Sequence, residues 1–291
     1  MLAKAAEDQQ DGAVSESKVV LLDVDGTIVD YHTELPPSAA VAIKAARANG
    51  HRIYMCTGRA KAEIYPYLWE IGFDGYIGGN GAFVEDDGVT VVDRALAEDV
   101  CHRAVAWLVA NDFGFYLEAN SGLYGSDNLP ERMAPVIGGP VAEAIERVKT
   151  KGFPHMIYGT TQGRPDVFKI SFVLEEGVDL EQLAQEYAGE AKIGTWTLTG
   201  KGPEFGEFGQ LGVDKGVAVR ALGEHLGVSP DDMIAFGDSN ADNELFATCG
   251  TTVAMGNGSD AIKAAATFVT DAVMDDGLYN AFVRLGLIEA G

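Results

Sequence analysis

The apolar run Val19-Val20-Leu21-Leu22 ends directly in Asp23-Val24-Asp25-Gly26-Thr27. An unbroken apolar stretch of this length reads as a strand covered on both faces, the pattern of a parallel sheet flanked by helices. That requirement constrains the fold more than anything else in the chain. The two carboxylates at its end are either the polar close of a strand or groups that do chemistry. Alternation places Asp23 and Asp25 on one side of the chain, at the edge where open α/β sheets bind ligands. Gly26 lets the chain turn away so that both stay accessible.

The following segments repeat the theme. Residues 36–50 read as a helix with Pro37 near its start and Gly50 just past its end. A second apolar strand, "HRIYMC", closes on Thr57-Gly58-Arg59. Residues 60–72 read as a second helix that Pro66 shortens or kinks, and "GYIG" is a third strand that runs into Gly79-Asn80-Gly81. Strand–helix–strand order with short links implies parallel strands and right-handed crossovers.

Near residue 84 the pattern changes. "AFVEDDGVTVVD" reads as a hairpin turning at Asp86-Asp87-Gly88. An amphipathic helix follows, then a strand pair around Phe115 and Leu123, a stretch from Leu129 to Gly163 broken by Pro and Gly, and a strand–helix–strand unit ending near Leu198. This middle third is α+β and reads as an insertion. From about residue 212 the first pattern returns: a helix with Asp214 as N-cap, an apolar strand ending in Gly237-Asp238, and short strands with covering helices. The expected division is a leader over 1–17, a discontinuous domain over 18–83 and 200–291, and an inserted domain over 84–199.

Bulk composition excludes several classes. With 44 acidic against 21 basic residues the formal charge is −23, which repels nucleic acid and anionic membranes. No apolar run has the length of a membrane span, and the polar N-terminus lacks the apolar region of a secretory signal. Three separated cysteines, Cys56, Cys101 and Cys249, imply neither a disulfide framework nor zinc, and fit a reducing cytoplasm. No site for a phosphate exists in such a field unless positive charge is concentrated locally.

The strand ends supply a candidate for that site. Asp23, Asp25, Thr57, Arg59, Asn80 and Asp238 fall on one edge of one sheet, and Lys215 opens a helix that can reach it. A lysine at a helix N-terminus opposes the helix dipole, so its placement asks for a nearby anion. Several clustered carboxylates need a compensating cation, and an oxygen-rich set beside phosphate suits Mg²⁺. One carboxylate can attack phosphorus, and its neighbour can move the proton.

Taken in order, "DVDGT", "TGR", "DKG" at 214–216 and "GDSNAD" at 237–242 resemble the four motifs of the haloacid dehalogenase superfamily. The insertion between the second and third resembles the larger cap of the Cof-type, class IIB phosphatases. "NGA" at 80–82 and residues 254–270 are similar to Cof-type segments. The resemblance implies a Rossmann-like parallel-sheet core with an inserted α+β class IIB cap. It implies a Mg²⁺-dependent phosphatase acting on a small phosphorylated metabolite, a sugar phosphate first, through an aspartyl-phosphate. By the resemblance Asp23 is the nucleophile and Asp25 the acid/base. Thr57, Gly58, Arg59, Asn80, Lys215 and Asn257 form the phosphate and substrate side. Asp23, the backbone carbonyl of Asp25, Asp238 and Asp242 hold the metal. A cytoplasmic monomer or weak homo-oligomer is expected, with no nucleic-acid or membrane partner. The alternatives are a phosphomutase of the same superfamily and a catalytically weak phosphate-binding regulator. The latter draws on one departure: Ala241 stands where the fourth motif commonly has Asn, which leads to the expectation of a perturbed metal or phosphate shell.

Overall fold

The computed structural model describes residues 17–152, 155–197 and 202–291. The expected leader therefore lies, apart from Ser17, outside the described residues, as does the expected boundary at 199/200.

In chain order the first segment contains β1 (Val19–Leu22), α1 (Pro37–Ala48), β2 (Arg52–Cys56), α2 (Pro66–Trp69), β3 (Gly75–Gly78), β4 (Phe83–Asp86) and β5 (Val89–Asp93). The middle segment contains α3 (Glu98–Ala110), β6 (Phe115–Ala119), β7 (Gly122–Gly125), α4 (Leu129–Ile137), α5 (Val141–Arg147), β8 (Ile157–Tyr158), β9 (Val167–Val173), α6 (Leu180–Glu186), β10 (Lys192–Trp196) and β11 (Phe205–Gly209). The last contains α7 (Lys215–Leu226), β12 (Ile234–Gly237), α8 (Asn243–Phe246), β13 (Thr251–Ala254), α9 (Asp260–Ala265), β14 (Phe268–Val269) and α10 (Gly277–Arg284).

Two sheets result. The first runs β14-β13-β12-β1-β2-β3-β4-β5, parallel from β14 to β3 and antiparallel through the hairpin β4–β5. The second runs β10-β11-β9-β6-β7-β8 and is antiparallel except at β7–β8. The parallel sheet follows from the β1 sequence. Val20 and Leu22 pack with Ile43 of α1 and Phe282 of α10, while Val19 and Leu21 pack with Val219 and Leu222 of α7 and Leu245 of α8. Both faces are covered, so every position of β1 is apolar. Only beyond Leu22 does the strand meet polar groups. None of the described helices is long and apolar enough to cross a membrane.

Several elements differ from their sequence expectation. The hairpin turns as expected, with Asp87 and Gly88 at φ 44° and 78°, the backbone of a two-residue primed turn. It pairs with β3, however, so hydrogen bonding runs straight through the expected boundary at 83/84. In the same way β11 pairs with β9 and β10 of the second sheet. It escaped the sequence reading because Gly206 and Gly209 dilute the strand pattern. The expected helix over 60–72 splits into a single 3₁₀ turn at Lys61–Glu63 and the four-residue α2. Pro66 has no N–H to give, which suits a first helical position rather than an interior one. The stretch read as broken holds α4 and α5. Pro130 falls in the first turn of α4, where a missing N–H is harmless, and Gly138 closes it at φ 73°.

The base of the first sheet is pinned by Asp74. Its carboxylate accepts from Arg47 Nε at 3.0 Å, Arg47 Nη2 at 2.8 Å and the Ile53 N–H at 2.8 Å. Burial opposes ionisation, but the Arg47 and Ile53 bonds hold the Asp74 carboxyl below its ordinary value. That contribution is fully present above the usual carboxylate range and is lost as pH falls through the lowered native value. Asp74→Asn is therefore expected to destabilise the protein by about 2 kcal/mol at pH 7. Paired denaturant titrations should show the gap to wild type closing below about pH 4.

Candidate active site

The ends of β1, β2, β3 and β12 meet the N-terminus of α7. Asp214 caps that helix, accepting from the Val217 N–H at 2.7 Å, and Lys215 is its first residue. The anion that the dipole argument asks for is present twice. Lys215 Nζ lies 2.6 Å from Asp23 Oδ1 and 2.7 Å from Asp242 Oδ1, and all three residues are buried. The other Asp242 oxygen accepts from the backbone N–H groups of Asp238 and Ser239, each at 3.1 Å. Asp242 thus closes the turn after β12 and pairs with the lysine.

Asp238 completes an acidic triad with Asp23 and Asp242, whose ligand atoms all lie within 4.8 Å of one another. Asp238 Oδ2 accepts from the Tyr31 hydroxyl at 2.5 Å. Asp238 Oδ1 is buried and has no hydrogen-bond partner among the described residues. An orphaned carboxylate oxygen inside a ring of carboxylates is a strong ligand position for a hard cation. The three oxygens fit Mg²⁺ in donor chemistry. Gly26 makes the approach possible: it sits at φ +85°, and a Cβ there would fall 2.2 Å from Asp238 Oδ2.

Charge is unbalanced here, with three carboxylates against one ammonium. Burial, assisted by Asp242 and Asp238 and opposed by Lys215, holds the Asp23 carboxyl well above its ordinary value. Burial also lifts Asp238, opposed by the Tyr31 hydrogen bond, to about 6. Burial pulls the Lys215 ammonium down, but Asp23 and Asp242 outweigh it and keep it firmly charged.

Asp25 has a different partner. Arg59 grips it with two parallel bonds, Nε to Oδ2 at 2.7 Å and Nη2 to Oδ1 at 2.8 Å. Such a fork fixes the plane of the carboxylate as well as its position. Arg59 is itself held, donating from Nη1 to the Glu63 carbonyl at 3.1 Å and lying 5.1 Å over the Tyr65 ring. Thr57 is buried, and its hydroxyl accepts from the Arg59 N–H at 3.2 Å, so it shapes the turn rather than capping a helix. Asn80 adopts the left-handed region at φ 55° with its amide against Gly58.

Asn257 lies in the turn after β13, and Ala241 in the turn after β12. Asn257, expected on the Lys215 and phosphate side, donates to the Gly26 carbonyl at 2.8 Å and accepts from the Val273 N–H at 2.8 Å. It braces the turn after β1. Ala241 is exposed and lies in the 3₁₀ turn Asn240–Asp242. The carboxylates of Asp238 and Asp242 flank that turn. Tyr31 was missed. It follows Asp30 in a polar loop and is 66% exposed, so nothing in its sequence context points inward.

The haloacid dehalogenase-like hydrolase family model matches residues 20–282, and the chain belongs to that family. A Bacillus subtilis protein named 5-amino-6-(5-phospho-D-ribitylamino)uracil phosphatase YwtE is 25% identical over 278 residues, covering 90% of this chain and 95% of its own length. A Geobacillus kaustophilus structure superposes with a TM-score of 0.80 at 22% identity, over 94% of this chain and all of that one. The HAD subclass IIB sugar phosphatase BT4131 superposes with a TM-score of 0.71 at 23% identity, over 94% and 100% of the two chains. The fold is that of a parallel-sheet core with an inserted class IIB cap, and the enzyme is a phosphatase of this superfamily.

Lys215→Met is expected to destabilise the protein by roughly 3–5 kcal/mol, because it leaves Asp23 and Asp242 buried without their cation. Burial already holds the Asp23 carboxyl above its ordinary value, and without the ammonium that opposes it Asp23 retains its proton more tightly folded than unfolded, so stability should recover as pH falls. Thermal unfolding of the variant from pH 8 to 5.5 should show its deficit shrinking; a constant deficit would mean the lysine acts by packing alone.

Proposed function

We propose that the protein is a Mg²⁺-dependent phosphatase that hydrolyses a small phosphorylated metabolite, with a sugar or sugar-alcohol monophosphate the first candidate, through a phosphoryl group carried on Asp23. The observation that carries this reading is the buried Asp23–Lys215–Asp242 arrangement beside the orphaned Asp238 oxygen.

Each residue has a role its surroundings allow. Asp23, on the strand end beside Lys215, attacks phosphorus, and the leaving oxygen departs on the opposite side. Lys215 counters charge on the phosphoryl oxygens while keeping Asp23 oriented. Thr57 and the turn at Gly58 and Asn80 line the same edge, where hydroxyl and backbone N–H groups can hold those oxygens. Asp25, fixed by Arg59, delivers a proton to the leaving alcohol and then takes one from the water that releases phosphate from Asp23. Asp23, Asp238, Asp242 and the Asp25 carbonyl would hold Mg²⁺, which supplies electrostatic stabilisation of the transferring group. Tyr31, on Asp238, would orient that carboxylate toward the ion.

We read the core as residues 18–94 and 210–291 and the cap as 95–209, following the hydrogen bonding of the two sheets. The cap would exclude water from the site and frame the leaving group.

Phosphate release across a panel of metabolites tests the reading. Wild type should release phosphate with Mg²⁺ and lose that activity in chelator. Asp23→Asn should lose at least ~10³-fold in kcat, as removal of a nucleophile does. Metal-independent release, or an active Asp23→Asn variant, would overturn it. In a separate calorimetric titration, Tyr31→Phe should weaken Mg²⁺ binding by about 10-fold, the usual cost of losing a group that orients a ligand.

A further inference from the structure

The acidic triad is carried by two turns, and a third turn holds both. The first follows β1. Gly26 sits there at φ +85°, and a Cβ on it would fall 2.2 Å from Asp238 Oδ2, so this turn lies directly against that carboxylate. The second follows β12 and carries Asp238 and Asp242. The third, residues 255–259, joins β13 to α9. Its Met255 N–H donates to the Gly237 carbonyl at 3.0 Å, and its Ser259 N–H to the Asp238 carbonyl at 2.9 Å. A Cβ on Gly258 would fall 2.9 Å from that same Asp238 oxygen. The third turn is therefore packed onto the backbone of Asp238.

Asn257, at the centre of the third turn, reaches the first. Its Nδ2 donates to the Gly26 carbonyl at 2.8 Å, and its Oδ1 accepts from the Val273 N–H at 2.8 Å. A carbonyl only accepts and an N–H only donates, so these partners allow the amide one orientation. Yet Asn257 is exposed. It fills no core, and the bonds of an exposed side chain compete with water. Stability is a weak reason to commit both ends of such an amide.

The freedom of glycine supplies a better one. Gly26 can rotate where other residues cannot, and its N–H shares a peptide plane with the Asp25 carbonyl. The Val29 carbonyl fixes that plane, accepting from the Gly26 N–H at 2.7 Å. The next plane holds the Gly26 carbonyl and the Thr27 N–H. The latter reaches the Val24 carbonyl only at 3.4 Å, so the short bond on this plane comes from Asn257. One turn thus grips the backbone on both sides of the triad: Gly26 through Asn257, and Asp238 through Ser259.

We infer that Asn257 is a positioning residue for the cation: through the Gly26 carbonyl it holds the Asp25 carbonyl and Asp238 at the separation a small divalent ion requires, and so favours Mg²⁺ over Ca²⁺. This rests on the Mg²⁺ part of the reading above. Mg²⁺ demands near-octahedral geometry at about 2.1 Å, whereas Ca²⁺ accepts oxygens at about 2.3–2.6 Å in flexible shells. A first turn free to rotate would leave every ligand in place and still penalise the smaller ion.

Calorimetric titrations with Mg²⁺ alone and with Ca²⁺ alone test this on wild type, Asn257→Ala and Asn257→Asp. Asn257→Ala should weaken Mg²⁺ binding by about 10-fold and Ca²⁺ binding by no more than about threefold. Asn257→Asp keeps the acceptor for Val273 and loses the donor for Gly26. Its added charge alone would favour any cation, so weaker Mg²⁺ binding there assigns the effect to the Gly26 bond. In chelator both variants should melt within about 3 °C of wild type, as suits an exposed residue. The Mg²⁺ concentration for half-maximal phosphate release should rise in step with the calorimetric loss. Equal losses for the two ions, or Mg²⁺ binding that is unchanged or tighter in either variant, would overturn the inference. A raised substrate KM at saturating Mg²⁺ with unchanged Mg²⁺ affinity would do the same, by placing Asn257 on the phosphate side. If Asn257→Ala does not fold, the Asn257→Asp titration decides; failure of both to fold makes the residue structural and overturns it. A wild type that binds neither ion would instead sink the metal reading, and the inference with it.

Discussion

The Lys215 ammonium, buried between Asp23 and Asp242, is the contact on which the rest of the arrangement depends. Its partners come from residues far apart in sequence: the end of β1, the start of α7 and the turn after β12. One side chain thus ties together the two core segments that the insertion separates. A lone ammonium at this depth would be strongly disfavoured, and so would either carboxylate without it. The three are therefore mutually required, and the fold has to bring them together before any can be buried.

That constraint also explains why the site is charged rather than neutral. Two carboxylates satisfy the lysine, and Asp238 leaves the ensemble with surplus negative charge. A protein selected only for stability gains nothing from the surplus. On the proposed function the surplus has a use, since a bound cation would balance the carboxylates and the lysine would face the phosphoryl oxygens. The strongly acidic surface sharpens the point: an anionic substrate finds its positive charge in one place.

Much of the core was legible in the sequence because burial on both faces leaves a simple trace. β1, β2 and β12 are unbroken apolar runs, and each ends in residues that cannot be explained as more of the same. Asp23 and Asp238 were read from that contrast, Lys215 from its place at a helix N-terminus, and Asp242 from the resemblance of the motif at 237–242. The elements that escaped were disguised by Pro and Gly. Pro130 sits where a helix tolerates it, and the glycines of β11 sit in a strand held by its neighbours on both sides. Tertiary pairing overrode local preference in both cases. The Arg59 clamp on Asp25 and the reach of Tyr31 to Asp238 are matters of side-chain direction across loops, which no periodicity encodes. Glu118 and Lys169, paired at 3.0 Å on neighbouring strands, did leave a trace. Each interrupts an otherwise apolar strand, "FYLEA" and "VFKISFV", and a charge there signals a polar partner.

Asp23 and Asp25 are governed by different physics, and this follows from their partners. Asp23 lies deep, among carboxylates and one ammonium, so its behaviour is set by burial and by the balance of charge around it. Asp25 is set by geometry, through the fork of Arg59. That arginine ties two turns together: its Nε and Nη2 hold Asp25, and its Nη1 donates to the Glu63 carbonyl. A shift of the 61–63 turn would therefore reach the Asp25 carboxylate through a single guanidinium.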